Sequence, residues 1–200
     1  MVKKNIRISV IIPINGEEPR LTKVVERIVE FSHLNDIETI IVCNTHEPSL
    51  AKRLRKSVAI IKTEKKSRAD AMNKGAGYAK GDILVFLHAD TLLPTDPFTP
   101  IRLALEDDNV VGGGFRIRHS SRKRTLRLHE VFMNLRSKWL HFYLGDQAMF
   151  VRKVFFERVG GFPMMPLMED IWLSDQMNEQ ETVLLQEHVI SSSKKFLEDG

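Results

Sequence analysis

Two groups of residues in this 200-residue chain have the types and spacing for chemistry. The first is His88 and Asp90, in the stretch GDILVFLHADTLLP from Gly81 to Pro94. Asp82 opens an unbroken apolar run, Ile83-Leu84-Val85-Phe86-Leu87, short and β-branched enough for a strand buried on both faces. It ends in polar His88-Ala89-Asp90-Thr91, and Pro94 stops any return to regular structure. Strand side chains repeat every second residue, so the imidazole and the carboxylate point the same way. In an open α/β sheet ligands bind just beyond the carboxyl ends of the strands. A metal-bound phosphate suits such a pair there; the plainer reading is that Asp90 caps the next turn. The second group is Glu169-Asp170, in PLMEDIWLSDQM, where a helix is expected to begin. Two acids in a first helical turn complement the positive end of the helix dipole, whatever else they do.

The elements that must position these groups alternate along the chain. Ile6 to Pro13 reads as a strand, and Leu21, Val24, Val25, Ile28 and Val29 have the spacing of a helix over Leu21 to Phe31. Ile37 to Cys43 is a second strand, Pro48 to Arg55 a short helix and Val58 to Ile61 a third strand. Ser67 caps a helix running to about Ala79, with Asp70 three residues on as a weaker capping box, and Gly81 closes it. The expected class is α/β, with right-handed crossovers and a mostly parallel sheet. Beyond Pro94 the texture changes. Asp96 to Asp107 looks helical, and Val110 to Arg118 is a strand whose Gly112-Gly113-Gly114 signals a tight backbone approach. Arg122 to about Leu144 is a long amphipathic segment. A strand at Gln147 to Val151, a turn at Gly160 to Pro163, a helix from near Glu169 and a strand at Val183 to Leu185 complete the chain. With no repeat or low-complexity linker, one domain over 1–200 is expected, a nucleotide half to about residue 94 and a smaller acceptor half after it.

Composition excludes some classes. A single cysteine rules out an internal disulfide framework and a cysteine-rich zinc site, and a reducing cytosol is its simplest home. No apolar run is long enough to span a bilayer, and the N-terminus, with its short run broken by Ser9 and Pro13, is not a signal peptide. A net charge of +4 suits an anionic ligand, a membrane surface or nucleic acid alike.

The segments IRISVIIPINGEE, SRADAMNKGAGYAKGDILVFLHADTLLP, GDQAMFVRKVFFERVGGFP and PLMEDIWLSDQM together resemble a family 2 glycosyltransferase with the GT-A fold. They are most similar to a bacterial subgroup associated with radical-SAM and selenodomain proteins. The resemblance implies a Rossmann-like, mostly parallel sheet flanked by helices. It also implies metal-assisted, inverting transfer of a sugar from a nucleotide-diphosphate donor to an unidentified acceptor. Asp90 falls at the closing aspartate of the family's DxD-like motif, where Mg²⁺ or Mn²⁺ would bridge carboxylate and phosphates. His88 stands at the first acidic position, and imidazole suits Mn²⁺ better than Mg²⁺; it also reads as a satisfied strand-end histidine. Pro13 and Glu17 match the wall around the nucleoside, although Glu17 also reads as a solvated acid before a helix. Arg68 can lie beside the nucleotide with the positive end of the Ser67 helix, or on the surface. Asp170 matches the family's general base, preceded by Glu169, and Asp146 and Gln147 are expected nearby to hold hydroxyls. Cys43 stands where many relatives carry a base-reading aspartate, and reads as an apolar filler. Asn73 and Gly75 match the pattern too, as a loop pin and a packing glycine.

The basic run from Arg116 to Lys138 reads first as a solvated helix face. Sharper alternatives are contact with a diphosphate, an anionic acceptor or a membrane surface carrying a lipid acceptor. Trp139, Phe142 and Tyr143 are more often core at such spacing. The chain ends at SSSKKFLEDG, where the subgroup continues into a further apolar segment. The expected setting is cytoplasmic, with peripheral contact at the inner membrane face and no nucleic-acid partner. Two other classes compete: a nucleotide-sugar-binding protein without turnover, and a basic nucleic-acid-binding α/β domain, for which no recognised module is present.

Overall fold

The computed structural model describes residues 6–16, 18–31, 36–44, 58–64, 67–165, 167–177 and 181–193. The elements are β1 (Ile8–Ile14), α1 (Leu21–Val29), β2 (Ile37–Cys43), β3 (Ala59–Lys62), α2 (Arg68–Tyr78), β4 (Ile83–Phe86) and α3 (Phe98–Ala104). They continue with β5 (Gly112–His119), α4 (Arg124–Leu140), a 3-10 turn (Gly145–Gln147), β6 (Phe150–Arg152), α5 (Lys153–Arg158), α6 (Glu169–Gln176) and β7 (Thr182–Ser191). The expected helix at Pro48 to Arg55 lies outside the described residues.

Strand order is β3-β2-β1-β4-β6-β5-β7. All neighbours are parallel except β6, which runs antiparallel to both β4 and β5. A single sheet therefore carries both halves of the chain. Its two faces divide β1 by the two-residue period: Ile8, Val10, Ile12 and Ile14 pack with Val24, Val25 and Ile28 of α1, while Ile11 packs with Ala69, Met72 and Ala76 of α2. Helix α2 approaches β1 closely because Gly75 has no side chain; a Cβ there would stand 2.5 Å from Ile11 Cγ2. Asn73, on the same helix, accepts from Phe162 N–H and donates to Phe162 C=O, both at 2.8 Å, and so pins the Gly160–Pro163 turn. Both motif residues thus have structural duties.

Three expectations need correction, and one helix is additional. Helix α2 ends at Tyr78 with an extended Ala79 as its C-cap, and Gly81 is not left-handed; its N–H instead donates to Ser9 Oγ at 2.8 Å, joining the start of β4 to β1. The last strand is longer than expected, because β7 follows β5 across a bulge between Phe115 and Arg116. Lys153–Arg158 forms a helix that its sequence did not announce. Of the three aromatics after the basic run, Tyr143 is fully buried, but Trp139 is 69% exposed. The expected tight approach at the triple glycine is present, with Gly113 against the Val183 carbonyl.

Candidate active site

The sheet opens where β1 and β4 part. Ile11 and Phe86 are the last paired residues, and Leu87 N–H still donates to Ile11 C=O at 3.0 Å. Beyond them β1 leads through α1 to β2 on one side while β4 stands on the other, the crossover reversal at which α/β sheets bind ligands. Pro13 lies two residues past Ile11, half-buried, on the side that β4 has left, so its missing N–H costs no ladder bond. Glu17 lies outside the described residues.

The β4 exit is held rigidly. Thr91 N–H donates to His88 C=O at 3.1 Å, and Leu92 exchanges backbone bonds with Ile190 of β7 at 3.0 and 2.9 Å. Asp90 sits half-buried on this turn, and its Oδ1 accepts only a long 3.4 Å bond from the neighbouring Thr91 hydroxyl. Asp96, not Asp90, accepts the Thr99 amide at the start of α3. The capping alternative for Asp90 has no support in these contacts.

Arg68 is the hub. It opens α2, where Ser67 Oγ accepts from Asp70 N–H as the N-cap at 3.4 Å. Its Nε pairs with Glu169 Oε1, from the first turn of α6, and its NH1 meets His88 Nε2 at 3.2 Å. A guanidinium only donates, so Nε2 accepts and the neutral ring carries its proton on Nδ1. The same Nε2 end of that ring rests on Gly145, where any Cβ would overlap Nε2. Gly145 N–H in turn donates to Asp170 Oδ2 at 2.9 Å, and Ile171 N–H to Asp170 Oδ1 at 2.9 Å. Glu169, Arg68, His88, Gly145 and Asp170 thus close a ring of contacts drawn from four separate segments. Burial works against the Arg68 charge, but the Glu169 hydrogen bond and the charges of Glu169, Asp170 and Asp146 outweigh it and raise its pKa. Met168, just before α6, adopts a left-handed φ of 70°, an unusual conformation for a side-chain-bearing residue and one that concentrates at working sites.

Asp146 completes the acidic wall. Burial first, then the charges of Asp170 and Asp90, push its carboxyl up to about 6, against the lowering effect of Arg136. Its Oδ1 is buried without a hydrogen-bond partner, a costly arrangement unless a ligand supplies one. Gln147 differs from expectation. It is 0% exposed, donating to Phe115 C=O at 3.1 Å and accepting from Ser137 Oγ at 3.0 Å and Leu144 N–H at 3.2 Å. It holds the turn in place and cannot meet a substrate hydroxyl. Glu169, 1% exposed, is committed to Arg68 in the same way. Arg136 was hidden in the basic run, yet it is half-buried, reaches Gln147 Oε1 at 3.3 Å and shares the field of Asp146 and Asp170.

His88 Nε2 faces a guanidinium, so the imidazole is an unsuitable ligand in this arrangement, and Asp90 is the carboxylate on this turn that could hold a cation. Among the described residues no three His, Cys, Asp or Glu side chains converge as a metal cage. That donor set fits a cation held by one or two carboxylates and by phosphate oxygens and water, the habit of Mg²⁺ and similar ions at phosphate sites.

The chain belongs to glycosyl transferase family 2, whose profile it matches over residues 9–164. No curated protein sequence matches it. Among solved structures, residues 1–349 of TarS from S. aureus superpose with a TM-score of 0.73 at 13% identity, covering 96% of this chain and 62% of that one. The mannosyltransferase PcManGT from Pyrobaculum calidifontis, in complex with GDP-Man and Mn²⁺, gives 0.69 at 21% identity, covering 95% and 58%. TarS 1–349 in complex with UDP-GlcNAc gives 0.74 at 12%, covering 93% and 58%. The fold is that of the GT-A glycosyltransferases, and the chain spans about three fifths of the length of these proteins.

Proposed function

We propose that this protein transfers a sugar from a nucleotide-diphosphate donor to an acceptor hydroxyl, with inversion at the anomeric carbon and Asp170 as the general base. The observation that carries the reading is the ring of contacts that joins Arg68, Glu169, His88 and Asp170 beyond the parting of β1 and β4, with Asp146 next to Gly145 in the same turn and Asp90 two residues after His88. The solved relatives bind GDP-Man with Mn²⁺, UDP-GlcNAc and UDP, which supports a donor of this class and a divalent cation here. Membership of the radical-SAM-associated subgroup is supported by the four sequence motifs.

In the proposed reaction the acceptor oxygen bonds to the anomeric carbon as the bond from that carbon to the diphosphate oxygen breaks. The acceptor proton passes to Asp170, and the electron pair leaves with the nucleotide diphosphate. Each Asp170 oxygen already accepts one backbone N–H, which fixes the carboxylate's orientation and leaves a lone pair on each oxygen for the hydroxyl. Arg68, oriented by Glu169, lies at the start of α2, where its charge and the helix dipole both favour the diphosphate. A divalent cation at Asp90 would supply Lewis-acid neutralisation of the leaving group when bound.

Thermal-shift measurement against UDP, GDP, dTDP and CDP, with and without Mn²⁺, tests the reading. One diphosphate raises Tm by mass action in the presence of metal, and Asp90→Ala abolishes that rise. Asp170→Asn keeps the rise but loses transfer on the order of 10²–10⁴-fold, the usual worth of a positioned base. No response to any nucleotide in either condition overturns the assignment, and binding that persists without turnover in the wild type favours the binding-protein alternative.

A further inference from the structure

Helix α4 is amphipathic the wrong way round. The side that packs on the domain is carried by Leu126, Glu130, Met133 and Ser137, two of them polar. It grips the sheet through hydrogen bonds: Glu130 accepts from His119 N–H at 2.6 Å, and Asn134 brackets the N–H and C=O of Ile117 at 2.9 and 3.1 Å. The side facing solvent carries Leu128, Val131, Phe132, Leu135 and Trp139, exposed by 72, 55, 65, 49 and 69%. At about 100° per residue these five fall within an arc of roughly 100°, opposite the packed seam. Contiguous exposed apolar stripes of this kind mark interaction surfaces.

The charge around the stripe selects its partner. Arg122, Lys123, Arg124 and Lys138 are exposed beside it, and Arg127 adds a fifth cation that bridges Glu130. Glu130 is the one acid between residues 122 and 140, and it is buried. Lys138 lies over the Trp139 ring, 5.7 Å from its centroid, an arrangement suited to a headgroup boundary. A second copy meeting this face two-fold would set like charge against like. An apolar stripe with a basic flank and a terminal Trp instead matches a helix lying in the plane of an anionic lipid surface. We propose that α4 docks this protein on anionic membranes through Leu128, Val131, Phe132, Leu135 and Trp139. No described helix is long and apolar enough to cross a membrane, so the contact is peripheral for this part of the chain. Ser137 and Arg136 on the same helix hold the turn that carries Asp146. Docking therefore sets the acidic wall about one helix diameter, roughly 10–12 Å, from the lipid.

Flotation of the full chain with vesicles of three parts phosphatidylcholine to one part phosphatidylglycerol, against phosphatidylcholine alone, tests this. Binding is expected to the anionic vesicles and to weaken with salt. Phe132→Ser with Trp139→Ser lowers it by at least about 10-fold. Arg122→Gln, Lys123→Gln and Arg124→Gln together lower it on the order of 100-fold, since each cation contributes separately. All these positions are exposed, and an unchanged Tm with an unchanged diphosphate response shows that fold and donor site survive. Failure of the donor-site reading is thus separable from failure of this one. No flotation of the wild type at low salt, or binding indifferent to Phe132→Ser and Trp139→Ser, overturns the proposal. So does a dimer in light scattering that those two substitutions disperse.

Discussion

Asp146 and Asp170 show how one fold gives neighbouring carboxylates different chemistry. Asp170 sits between two backbone N–H donors, whereas Asp146 has a buried oxygen with none. With its carboxyl at about 6 when folded against an ordinary 3.8, the folded protein holds a proton between those values that the unfolded chain has lost. Stability of the metal-free protein should therefore fall as pH rises from about 4 to about 6, and stay lower above that window, by on the order of 2–3 kcal/mol. Asp146→Asn should remove this fall and raise Tm at neutral pH. Parallel Tm–pH curves for wild type and variant would refute the assignment. Arg68 illustrates a second lesson of residue scale. Its charge is sustained by a carboxylate 101 positions away in sequence, which no local pattern foretells.

At the scale of elements, α2 positions much of the candidate site. Ser67 starts it, Arg68 projects from its first turn, Asn73 holds the Gly160–Pro163 turn and Gly75 lets it settle on β1. Gly75→Ala should force a methyl group against Ile11 and Val42 at a cost of about 1–3 kcal/mol, read as a lower urea midpoint with unchanged slope. Asn73→Ala should leave the Phe162 N–H and C=O without their partners and cost about 1–3 kcal/mol. Because that turn leads towards α6, the loss should also loosen Asp170, visible as a drop in transfer rate larger than the drop in Tm explains. A rate that merely tracks the folded fraction would confine Asn73 to stability. Helix α6 is fastened separately: Ser174 Oγ accepts from Tyr143 N–H and donates to Tyr143 C=O, both at 2.9 Å.

For the whole molecule, the governing fact is that one sheet runs through both halves. β4 from the first half pairs with β6 from the second, and the core on each face takes residues from both. Neither half closes its own core, so unfolding is expected to be a single cooperative transition. Both tryptophans, Trp139 and Trp172, lie in the second half, whereas far-ultraviolet circular dichroism reports the entire chain. Coincident denaturation curves by the two probes are the expected result; an early fluorescence transition would mean that the second half unfolds alone. The buried Cys43 has no partner for a disulfide within the chain, so reductant should leave the curves unchanged.

Local physics makes some of this legible in the residues alone. The apolar run Ile83 to Leu87, the α1 spacing and the Ser67 cap depend on neighbours a few positions away, and each appears as the sequence foretold. The ordered motifs likewise point to the family whose profile the chain matches. What sequence could not yield depends on contacts between distant segments. That Gln147 is sealed inside, that His88 faces a guanidinium, and that Arg136 belongs to the acidic wall follow from packing across many tens of residues. The outward apolar face of α4 is the clearest case. Periodicity identifies an amphipathic helix, but only the tertiary structure decides which face is buried, and here hydrogen bonds to the backbone of β5 secure the face of mixed polarity.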